Sequence, residues 1–413
     1  MHRDLLTLLR CPFCGGTLTL DDAHPSNASA REIHDGILAC ACCTFPVVDG
    51  IPVLHLHPSA EAAQTHLKAG QPTLARRAMF GLTDDAEAER VDGVLADPEA
   101  RFQDVVAVLG THLEGGYFLY RFSDPTFVVA EAVVQAVAGH AVAPGDQVID
   151  VCGGAGHLTR VLAQTTGVPP VLADLFYAKL WLARRFTAPQ CRPVCCDGNA
   201  PLPFARGAFA FAMCADALMY LWQKRQFVGE LFRLVDGHAR ATVLLNHVHS
   251  QLVWSPSHGN ALPPAAYRSL CEQATPQIFG EGRLFTDLIS TGTIDLTHGH
   301  SDEAVANDAA LTLVASRVPQ VFGRHARPAV TGRDGEWRIN PLYAVHREGA
   351  AVAGTLHFPS DDYEDEYGAC RAYLPDEIRI DDADWRALGR AIPPALRSLV
   401  ERRAILSLPL RYL

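Results

Sequence analysis

The sequence predicts an α/β protein built around a parallel sheet, with a small cysteine-rich module before it and an α+β extension after it. Its 413 residues are too many for one ordinary core. Two Cys-x-x-Cys pairs lie near the N-terminus. Between residues 117 and 322, short apolar runs alternate with stretches of helical periodicity, which indicates βαβ units and a parallel sheet. The runs predicted as strands are 147–150, 170–174, 193–197, 209–214, 241–245 and 310–316.

Composition narrows the class of protein. The chain is 48% hydrophobic and 20% charged, and it has no apolar run long enough to cross a membrane, so we expect a globular protein without a membrane partner. The N-terminus lacks the apolar core of a signal peptide, which favours the cytoplasm. In that reducing compartment the 12 cysteines favour metal ligation or free thiols over disulfides. A net charge of −11 makes a broad nucleic-acid surface unfavourable, although it leaves a local basic patch open. The preference for arginine over lysine indicates a GC-rich bacterial genome.

These patterns divide the chain into four segments. They are a cysteine-paired module (1–57), a helical linker or cap (58–116), the α/β domain (117–322) and a C-terminal extension (323–413) that we expect to cover the ligand site. Within the extension we expect one helix over 384–404. The acidic run 361–366 is interpreted as a solvated loop.

The paired cysteines predict a structural zinc site. Cys11 and Cys14 form one pair, and Cys40 and Cys43 form the other. Two such pairs place four thiolates around one point, which suits tetrahedral zinc. Iron held as in rubredoxin is the alternative, because ligand type alone does not separate the two metals. Cys42 lies between the ligands of the second pair and is interpreted as a bystander.

Beyond its cysteines, this module resembles a family of small zinc-ribbon proteins. The resemblance rests on the leucines and cysteines of 5–14, on the segment 36–40, and on the closing run FPVVDGIPVL at 45–54. Members of that family are subunits that activate methyltransferases acting on tRNA, rRNA and translation factors, and bacterial relatives occur alone or fused. The resemblance implies a stabilising or docking module without chemistry of its own.

A glycine-rich loop follows the first predicted strand of the α/β domain. Its sequence is CGGAG, at 152–156, and a helix is predicted from His157. Glycines let the backbone pass close to a ligand, and a helix N-terminus favours a negatively charged group. Such a loop alone would also suit a phosphate-containing dinucleotide. Asp174 ends the second predicted strand, where its carboxylate could accept both hydroxyls of a ribose.

Over roughly the middle half of the chain, these motifs resemble class I S-adenosylmethionine (SAM)-dependent methyltransferases. The resemblance implies a Rossmann-like sheet with helices on both faces and SAM as the cofactor. It assigns to cofactor binding the residues Asp150, Cys152, Gly154, Gly156, Asp174, Leu175, Asp197, Gly198 and Arg121. In this scheme the segment around Asp197 binds the adenine. Arg121 could pair with the methionine carboxylate, or it could equally be a surface arginine beside core aromatic residues. Cys152 departs from the family pattern, which has glycine there, and Ala210 stands where an acidic residue is usual.

Methyl transfer to a hydroxyl or amine also needs a base that takes the proton of the acceptor. We expect it at the carboxyl ends of the fourth and fifth strands, where open α/β sheets bind ligands. The candidates are Asp216, Tyr220 and His247. His249 lies two residues beyond His247, and we expect one of these two histidines to face the cleft.

The acceptor and the reaction stay open at this point. A small-molecule substrate is favoured by the negative charge, the scarcity of lysine and an extension that could enclose a ligand. The resemblance of the ribbon instead favours RNA or a translation factor. Transfer of the aminocarboxypropyl group, or its cyclisation, would use the same cofactor site. A non-catalytic scaffold that recruits a partner methyltransferase is the last alternative. The sequence predicts no oligomeric state.

Overall fold

The computed structural model describes residues 1–110, 115–255, 259–271, 274–330, 335–389 and 391–413. The cysteine-rich module at 1–57, called the ribbon below, is a small antiparallel sheet preceded by one helical turn. Its elements are α1 (Leu5–Leu8), β1 (Thr19–Leu20), β2 (Asn27–Ala28), β3 (Ile33–Ala39), β4 (Thr44–Val48) and β5 (Ile51–Pro52). β3 lies between β1 and β4, and β4 pairs with β5.

The segment after the ribbon is helical, as its periodicity predicts, and residues 111–114 of that segment lie outside the described residues. The helices are α2 (Pro58–Lys68), α3 (Pro72–Phe80), α4 (Asp85–Ala96), α5 (Phe102–Leu109) and α6 (Gly115–Tyr120). α2 and α3 begin with proline, which suits the first helical turn because it has no N–H to leave unpaired. The Asp84 side chain caps α4 by accepting a hydrogen bond from the backbone N–H of Glu87.

All six predicted strands of the α/β domain are present. Its elements are α7 (Pro125–Ala141), β6 (Val148–Val151), α8 (His157–Thr166), β7 (Val171–Asp174), α9 (Tyr177–Leu182), β8 (Arg192–Cys195), β9 (Phe211–Ala215), α10 (Lys224–Val235), β10 (Thr242–His249), α11 (Pro264–Leu270), β11 (Gln277–Gly280), α12 (Glu281–Thr291), β12 (Thr293–Asp295) and β13 (Ala310–Ser316). Among the described residues, seven of these strands form one sheet in the order β8-β7-β6-β9-β10-β13-β11.

The strand order places a topological switch point at the middle of the sheet. β6 pairs in parallel with β7 on one side and with β9 on the other. The chain runs outward from β6 to β8 and then returns to β9, so the connections leave β6 and β9 in opposite directions. Ligands bind open α/β sheets at the carboxyl ends of the strands beside such a switch point. β13 runs antiparallel to both β10 and β11.

Apolar side chains cover both faces of the sheet. Along β9, Phe211 and Met213 enter one core while Ala212 and Cys214 enter the other, as the alternation of a strand requires. The first core also holds the buried residues of α7, α8, α9 and α12. The second core holds those of α10 and α11, together with Leu5 and other apolar residues of the ribbon. The ribbon therefore shares the core of the sheet.

The ribbon also extends the edge of the sheet. Val53 forms a parallel bridge with Cys195 of β8, and the N–H of Leu54 donates to the Cys195 carbonyl at 2.7 Å. On the other side of the ribbon, the N–H of Arg10 donates to the Pro203 carbonyl at 2.9 Å. An unpaired edge strand exposes backbone groups that can pair with another chain. The ribbon covers this edge of the sheet at β8.

The C-terminal extension adds small antiparallel sheets and short helices. Its elements are β14 (Arg324–Ala326), β15 (Glu336–Ile339), β16 (Tyr343–Glu348), β17 (Ala351–Leu356), α13 (Asp361–Tyr367), β18 (Glu377–Asp381), α14 (Asp382–Ala387), α15 (Arg397–Glu401) and β19 (Ile405–Leu408). β17 lies between β16 and β18, β15 pairs with β19, and β14 pairs with β12.

Within the described residues, every helix of the chain is too short or too polar to span a lipid bilayer.

Two expectations for this extension are wrong. The predicted helix over 384–404 is two short helices, α14 and α15, because Pro393 and Pro394 interrupt the segment between them. The acidic run 361–366 is helical rather than a loop. The Ser360 hydroxyl caps α13 by accepting from the N–H of Tyr363, and acidic residues in the first turn suit the positive end of the helix dipole.

Asn340 ties the extension to the α/β domain. Its side chain is 1% exposed, and its amide donates to the Arg403 carbonyl at 2.9 Å. The Asn340 side-chain oxygen accepts from the Ser123 hydroxyl and from the N–H of Leu342, each at 2.9 Å. The Arg403 guanidinium in turn donates to Glu131 of α7 at 2.6 Å. This buried polar network connects β19 to the turn that precedes α7.

We expect Asn340→Ala to lower the free energy of unfolding by about 1–3 kcal/mol, because buried donors and acceptors lose their partner. Urea denaturation followed by circular dichroism measures the change. The exposed Asn307→Ala is the control and should leave the transition in place. Equal stability of the two variants would contradict the structural role of Asn340.

Candidate active site

Three chain segments meet at the carboxyl ends of β6, β7 and β8. The glycine-rich loop 152–156 follows β6, Asp174 is the last residue of β7, and Asp197 lies just beyond β8. The N–H of Cys152 donates to the Ala173 carbonyl at 2.7 Å, which fixes the start of the loop against β7. The residues that the sequence assigns to one ligand therefore lie together beside the switch point of the sheet.

The backbone of the loop requires glycine where it turns into α8. Gly156, the residue before α8, has φ +78°, and a Cβ there would lie 2.8 Å from the Cβ of Ala183. Gly154 has φ +55°, and its N–H donates to Asp174 Oδ2 at 2.9 Å. Cys152 also has a positive φ, +62°, which is strained for a residue other than glycine. The first N–H groups of α8 thus face a loop with little side-chain bulk.

Asp174 is held so that its carboxylate faces the loop. Its oxygens accept from the N–H groups of Gly154 and Phe176, each at 2.9 Å. A carboxylate has about four lone-pair positions, so both oxygens keep capacity for further donors such as hydroxyls. Burial raises the pKa of Asp174, and the backbone N–H donors oppose this only in part. Leu175 follows it, and its carbonyl accepts from the Cys195 thiol at 3.2 Å.

Asp197 has a neighbour that the sequence did not predict. Its Oδ1 accepts from the N–H of Asn199 at 2.8 Å, and its Oδ2 lies 3.4 Å from Nε2 of His57. His57 directly follows the ribbon, and it reaches this edge because β5 lies next to β8. Gly198 is buried, and a Cβ there would lie 3.4 Å from the Cys152 sulfur. The only sequence signal for His57 was its position after the closing motif of the ribbon.

Asp150 lies beneath the loop at the end of β6. It is 1% exposed, and its Oδ2 accepts from the Thr159 hydroxyl at 2.6 Å. Its Oδ1 has no hydrogen-bond donor among the described residues. Burial raises the pKa of Asp150 to about 7, because the hydrogen bond from Thr159 offsets only part of the desolvation. A donor from a ligand or a proton would satisfy this oxygen.

A second polar group, called the triad below, lies at the ends of β9 and β10 and consists of Asp216, His247 and His249. One carboxylate oxygen and one nitrogen of each ring all lie within 4.8 Å of one another. Asp216 and His247 have φ +55° and +50°, both left-handed. The pairing of β10 with β13 shifts register between Leu245 and Val248, which marks a bulge. Both histidines belong to the triad, and which of them faces the cleft stays a prediction.

Arg121 lies beside the triad. Its guanidinium donates to Asp216 and to Asp124, each at 3.2 Å, and Asp124 caps α7. Two carboxylates of the protein thus already pair with this arginine, and its role toward a cofactor carboxylate stays a prediction. Tyr220 ends a short turn after Asp216, and its side chain is half exposed.

Glu281 also belongs to this end of the site, although it was not identified from the sequence. Its Oε2 lies 2.6 Å from Nδ1 of His247, and its Oε1 accepts from the N–H of His247 at 2.8 Å. Burial alone would lower the pKa of His247, but the carboxylates of Glu281 and Asp216 outweigh it and raise the pKa to about 9. The pKa of His249 is lowered, by burial and by the nearby charge of His247. The signal for Glu281 was a charged residue placed directly after an apolar strand.

Helix α13 of the C-terminal extension lies close to the triad. Its Tyr363 ring packs against Tyr120, with ring centroids 5.5 Å apart, and against Tyr367 at 4.8 Å. The pKa of Glu366 is raised, first by burial and then by the negative charges of Asp216 and Asp124. The acidic helix therefore adds a carboxylate to a site that already holds several.

The ribbon brings its cysteines together as the sequence predicts, with one difference. The four sulfur atoms that lie within 4.8 Å of one another are those of Cys11, Cys14, Cys40 and Cys42. The Cys42 sulfur lies 3.6 Å from that of Cys11 and 3.7 Å from that of Cys40. Cys43, the predicted fourth ligand, has its sulfur 3.4 Å from that of Cys42. Cys42 is therefore inside the cluster rather than beside it.

Comparisons with known proteins give matches of structure only. No protein-family model matches the chain, and no curated protein matches it. A SAM-dependent methyltransferase from Thermotoga maritima is 12% identical, with a TM-score of 0.34 over 52% of this chain and 97% of that one. A geranyl diphosphate methyltransferase in complex with SAM is 17% identical, with a TM-score of 0.34 over 55% and 95%. The complex of the Haloferax volcanii Trm112 methyltransferase activator with a protein described as a methyltransferase gives 17% identity and a TM-score of 0.36, over 53% and 97%.

The raised pKa of Asp150 predicts a pH-dependent stability. Because the folded-state pKa of about 7 lies above the unfolded value of about 3.9, folding takes up a proton between them. The contribution of Asp150 to stability therefore falls as the pH rises from about 4 to about 7. Asp150→Asn removes this titration, so the stability of the variant relative to wild type should rise by up to ~1.4 kcal/mol per pH unit across that range.

Thermal melting of both proteins at several pH values measures this difference. Asp22→Asn, at an exposed position, is the control. A difference between Asp150→Asn and wild type that stays constant with pH would contradict a protonated Asp150.

Proposed function

We propose that this protein is a SAM-dependent methyltransferase that acts on a small-molecule acceptor. The observation that carries the proposal is the convergence of the loop 152–156, Asp174 and Asp197 at the carboxyl ends of three adjacent parallel strands. The loop suits a carboxylate, Asp174 suits the hydroxyls of a ribose, and Asp197 suits an adenine. These are the parts of a nucleoside that bears an amino-acid chain. A crevice beside a switch point is where such a ligand binds an α/β sheet.

The residues present fit this cofactor. The loop and the first N–H groups of α8 would hold the methionine carboxylate, since a helix N-terminus favours an anion. Oδ1 of Asp150, which has no donor among the residues that the structure describes, lies beneath that loop. Asp174 would accept the ribose hydroxyls, and Asp197 with Gly198 would line the adenine, with His57 beside Asp197. The bound cofactor supplies an electrophilic methyl group on a sulfonium.

The acceptor would bind on the β9 and β10 side of the crevice. There the triad offers a carboxylate and imidazole nitrogens that can orient an acceptor and hold its proton. Trp222 follows the turn after Asp216, and Trp254 follows β10, with exposed fractions of 78% and 84%. Such exposed aromatic rings suit an acceptor with an apolar part.

The local charge favours a small molecule over a nucleic acid. Carboxylates of Asp216, Glu281 and Glu366 lie at or beside the triad, and that of Asp124 pairs with Arg121. These four carboxylates outnumber the positive charges of Arg121 and of His247, whose pKa is raised to about 9. A phosphate backbone is repelled by such a concentration of negative charge and needs a dense basic face instead. We propose that the C-terminal extension covers the acceptor, since α13 lies beside this group.

We also propose that the ribbon holds one zinc ion through Cys11, Cys14, Cys40 and Cys42. A tetrahedral site with Zn–S bonds of about 2.3 Å requires sulfur atoms about 3.8 Å apart. The separations of 3.6 Å for Cys11–Cys42, 3.7 Å for Cys40–Cys42 and 3.8 Å for Cys14–Cys40 fit this value. Because the ribbon shares the core of the sheet, zinc there would stabilise the whole chain.

Asp174→Ala should weaken the binding of S-adenosylhomocysteine by about 1–3 kcal/mol, because the ribose hydroxyls lose their acceptor. Isothermal calorimetry on the two proteins measures the affinities. Asp236→Ala, an exposed aspartate that pairs with Arg206 away from the crevice, is the matched control and should bind as wild type does. NADH is titrated in parallel, because a dinucleotide site would use the same loop.

The outcomes separate the alternatives. Equal affinities of Asp174→Ala and wild type would overturn the role of Asp174, and NADH binding without S-adenosylhomocysteine binding would overturn the cofactor. With substrate extracts, S-adenosylhomocysteine as the product indicates methyl transfer, whereas methylthioadenosine indicates transfer or cyclisation of the aminocarboxypropyl arm. Affinity for total tRNA that falls steeply with salt would favour RNA instead.

Cys42→Ser should lose the thiolate-bound zinc and lower the melting temperature, whereas Cys43→Ser should keep most of the zinc. The reason is that only Cys42 belongs to the group of four sulfurs. Zinc released by an organomercurial, which reacts with thiolates, measures the occupancy of the ribbon. Zinc loss in Cys43→Ser with retention in Cys42→Ser would contradict this ligand set and restore the pairing that the sequence predicts.

A further inference from the structure

We propose that the triad of Asp216, His247 and His249 is a second metal site, which binds a divalent first-row transition metal. The three side chains come from the ends of two adjacent strands, and their ligand atoms lie within 4.8 Å of one another. Two imidazoles and one carboxylate are ligands that zinc, iron(II) and cobalt(II) share, and they leave other coordination positions open. The ribbon, with its thiolates, is chemically distinct from this site.

The two histidine rings are oriented as metal ligands usually are. Nδ1 of His247 lies 2.6 Å from Glu281 Oε2, and Nδ1 of His249 lies 3.0 Å from the Ser255 hydroxyl. These contacts leave Nε2 of each ring for a metal. Nε2 of His249 lies 3.8 Å from Asp216 Oδ1, a gap that a bridging ion would span. A histidine ligand typically donates its other ring N–H to a carboxylate or another acceptor, which fixes the ring.

The groups behind the ligands are fixed as well. Glu281 Oε1 accepts from the Thr312 hydroxyl at 2.8 Å, and the Asn246 amide donates to the Thr312 hydroxyl at 2.8 Å. Asp216 Oδ2 accepts from Arg121 at 3.2 Å, so Oδ1 is the oxygen that faces His249. The triad therefore has a preorganised outer shell, which a set of surface side chains does not have.

The backbone is strained at two of the three ligands. Asp216 and His247 have φ +55° and +50°, a conformation that side chains other than glycine rarely adopt. The N–H of Asp216 donates to the Asn246 carbonyl at 3.0 Å, which locks the two strand ends together. Strain of this kind persists where the surrounding structure enforces it, and it clusters at functional sites.

The local charge also favours a cation. Glu281 contacts His247 of the triad, and Glu366 interacts electrostatically with Asp216 and His247. Arg121 pairs with Asp216 at 3.2 Å. A divalent ion at the triad would offset this negative charge. If the chain is the methyltransferase proposed above, the open coordination positions of the metal would face the acceptor. The acceptor would then carry an oxygen atom that can bind the metal. Metal binding itself does not depend on the identity of the cofactor.

Titration with Co²⁺ tests the site, by calorimetry and visible absorption, on full-length protein loaded with one equivalent of zinc per chain, so that the thiolates are filled and the triad stays open to Co²⁺. We expect one Co²⁺ per chain, with d–d absorption but without the sulfur-to-metal charge-transfer bands of a thiolate site. His249→Ala and Asp216→Asn should weaken binding at least tenfold. His24→Ala is the matched control, because His24 pairs with Asp21 in the ribbon at 3.0 Å, and it should bind as wild type does.

Every outcome of this titration either supports the metal site or overturns it. The proposal is overturned if Co²⁺ does not bind, if it shows thiolate charge transfer, or if His249→Ala and Asp216→Asn both bind it as wild type does. Circular dichroism on the same samples establishes that the variants are folded, and the affinity for S-adenosylhomocysteine is measured separately. If wild type binds Co²⁺ at this site but not S-adenosylhomocysteine, the metal site stands and the proposed function falls.

Discussion

The parallel pairing of β6 with β7 on one side and with β9 on the other is the constraint on which the site depends. Parallel strands all end at the same edge, so every side chain that follows a strand in sequence arrives at one place in space. The loop 152–156, Asp174 and Asp197 arrive there from β6, β7 and β8, and the triad arrives from β9 and β10. The proposed cofactor half and the proposed acceptor half of the crevice thus lie on opposite sides of the switch point.

The ribbon covers the edge of the sheet at β8. An exposed edge strand would leave unpaired N–H and C=O groups, which β5 and Val53 cover through the bridge to Cys195. The same contact brings His57 to 3.4 Å from Asp197, so the ribbon also borders the proposed adenine position. The Tyr177 hydroxyl donates to the Val48 carbonyl at 3.0 Å, which ties the ribbon to α9 as well. The cysteine-rich ribbon and the proposed cofactor site therefore share a boundary.

The sequence predicted what is local. Apolar runs end at the strand end or within two residues of it, so Asp174 and Asp197 could be placed from the runs alone, and glycine at 156 follows from the turn into α8. Contacts between distant segments could not be predicted, because His247 meets Glu281 only through the antiparallel insertion of β13. The choice between Cys42 and Cys43 depends on the conformation of one turn, which spacing does not encode. The helix expected over 384–404 failed although Pro393 and Pro394 were visible signals against it.

The C-terminal extension shapes the site through a chain of contacts rather than by its position alone. Arg403, next to β19, donates to the Phe122 carbonyl at 2.7 Å, and Asn340 accepts from Ser123. These bonds fix the turn that carries Arg121, whose guanidinium pairs with Asp216 at 3.2 Å. Because Arg121 is a principal counter-charge for the carboxylates around the triad, loosening the extension would free Asp216 and change the electrostatics around the triad. The buried hydrogen bonds that hold the extension in place therefore also maintain the charge balance in the crevice.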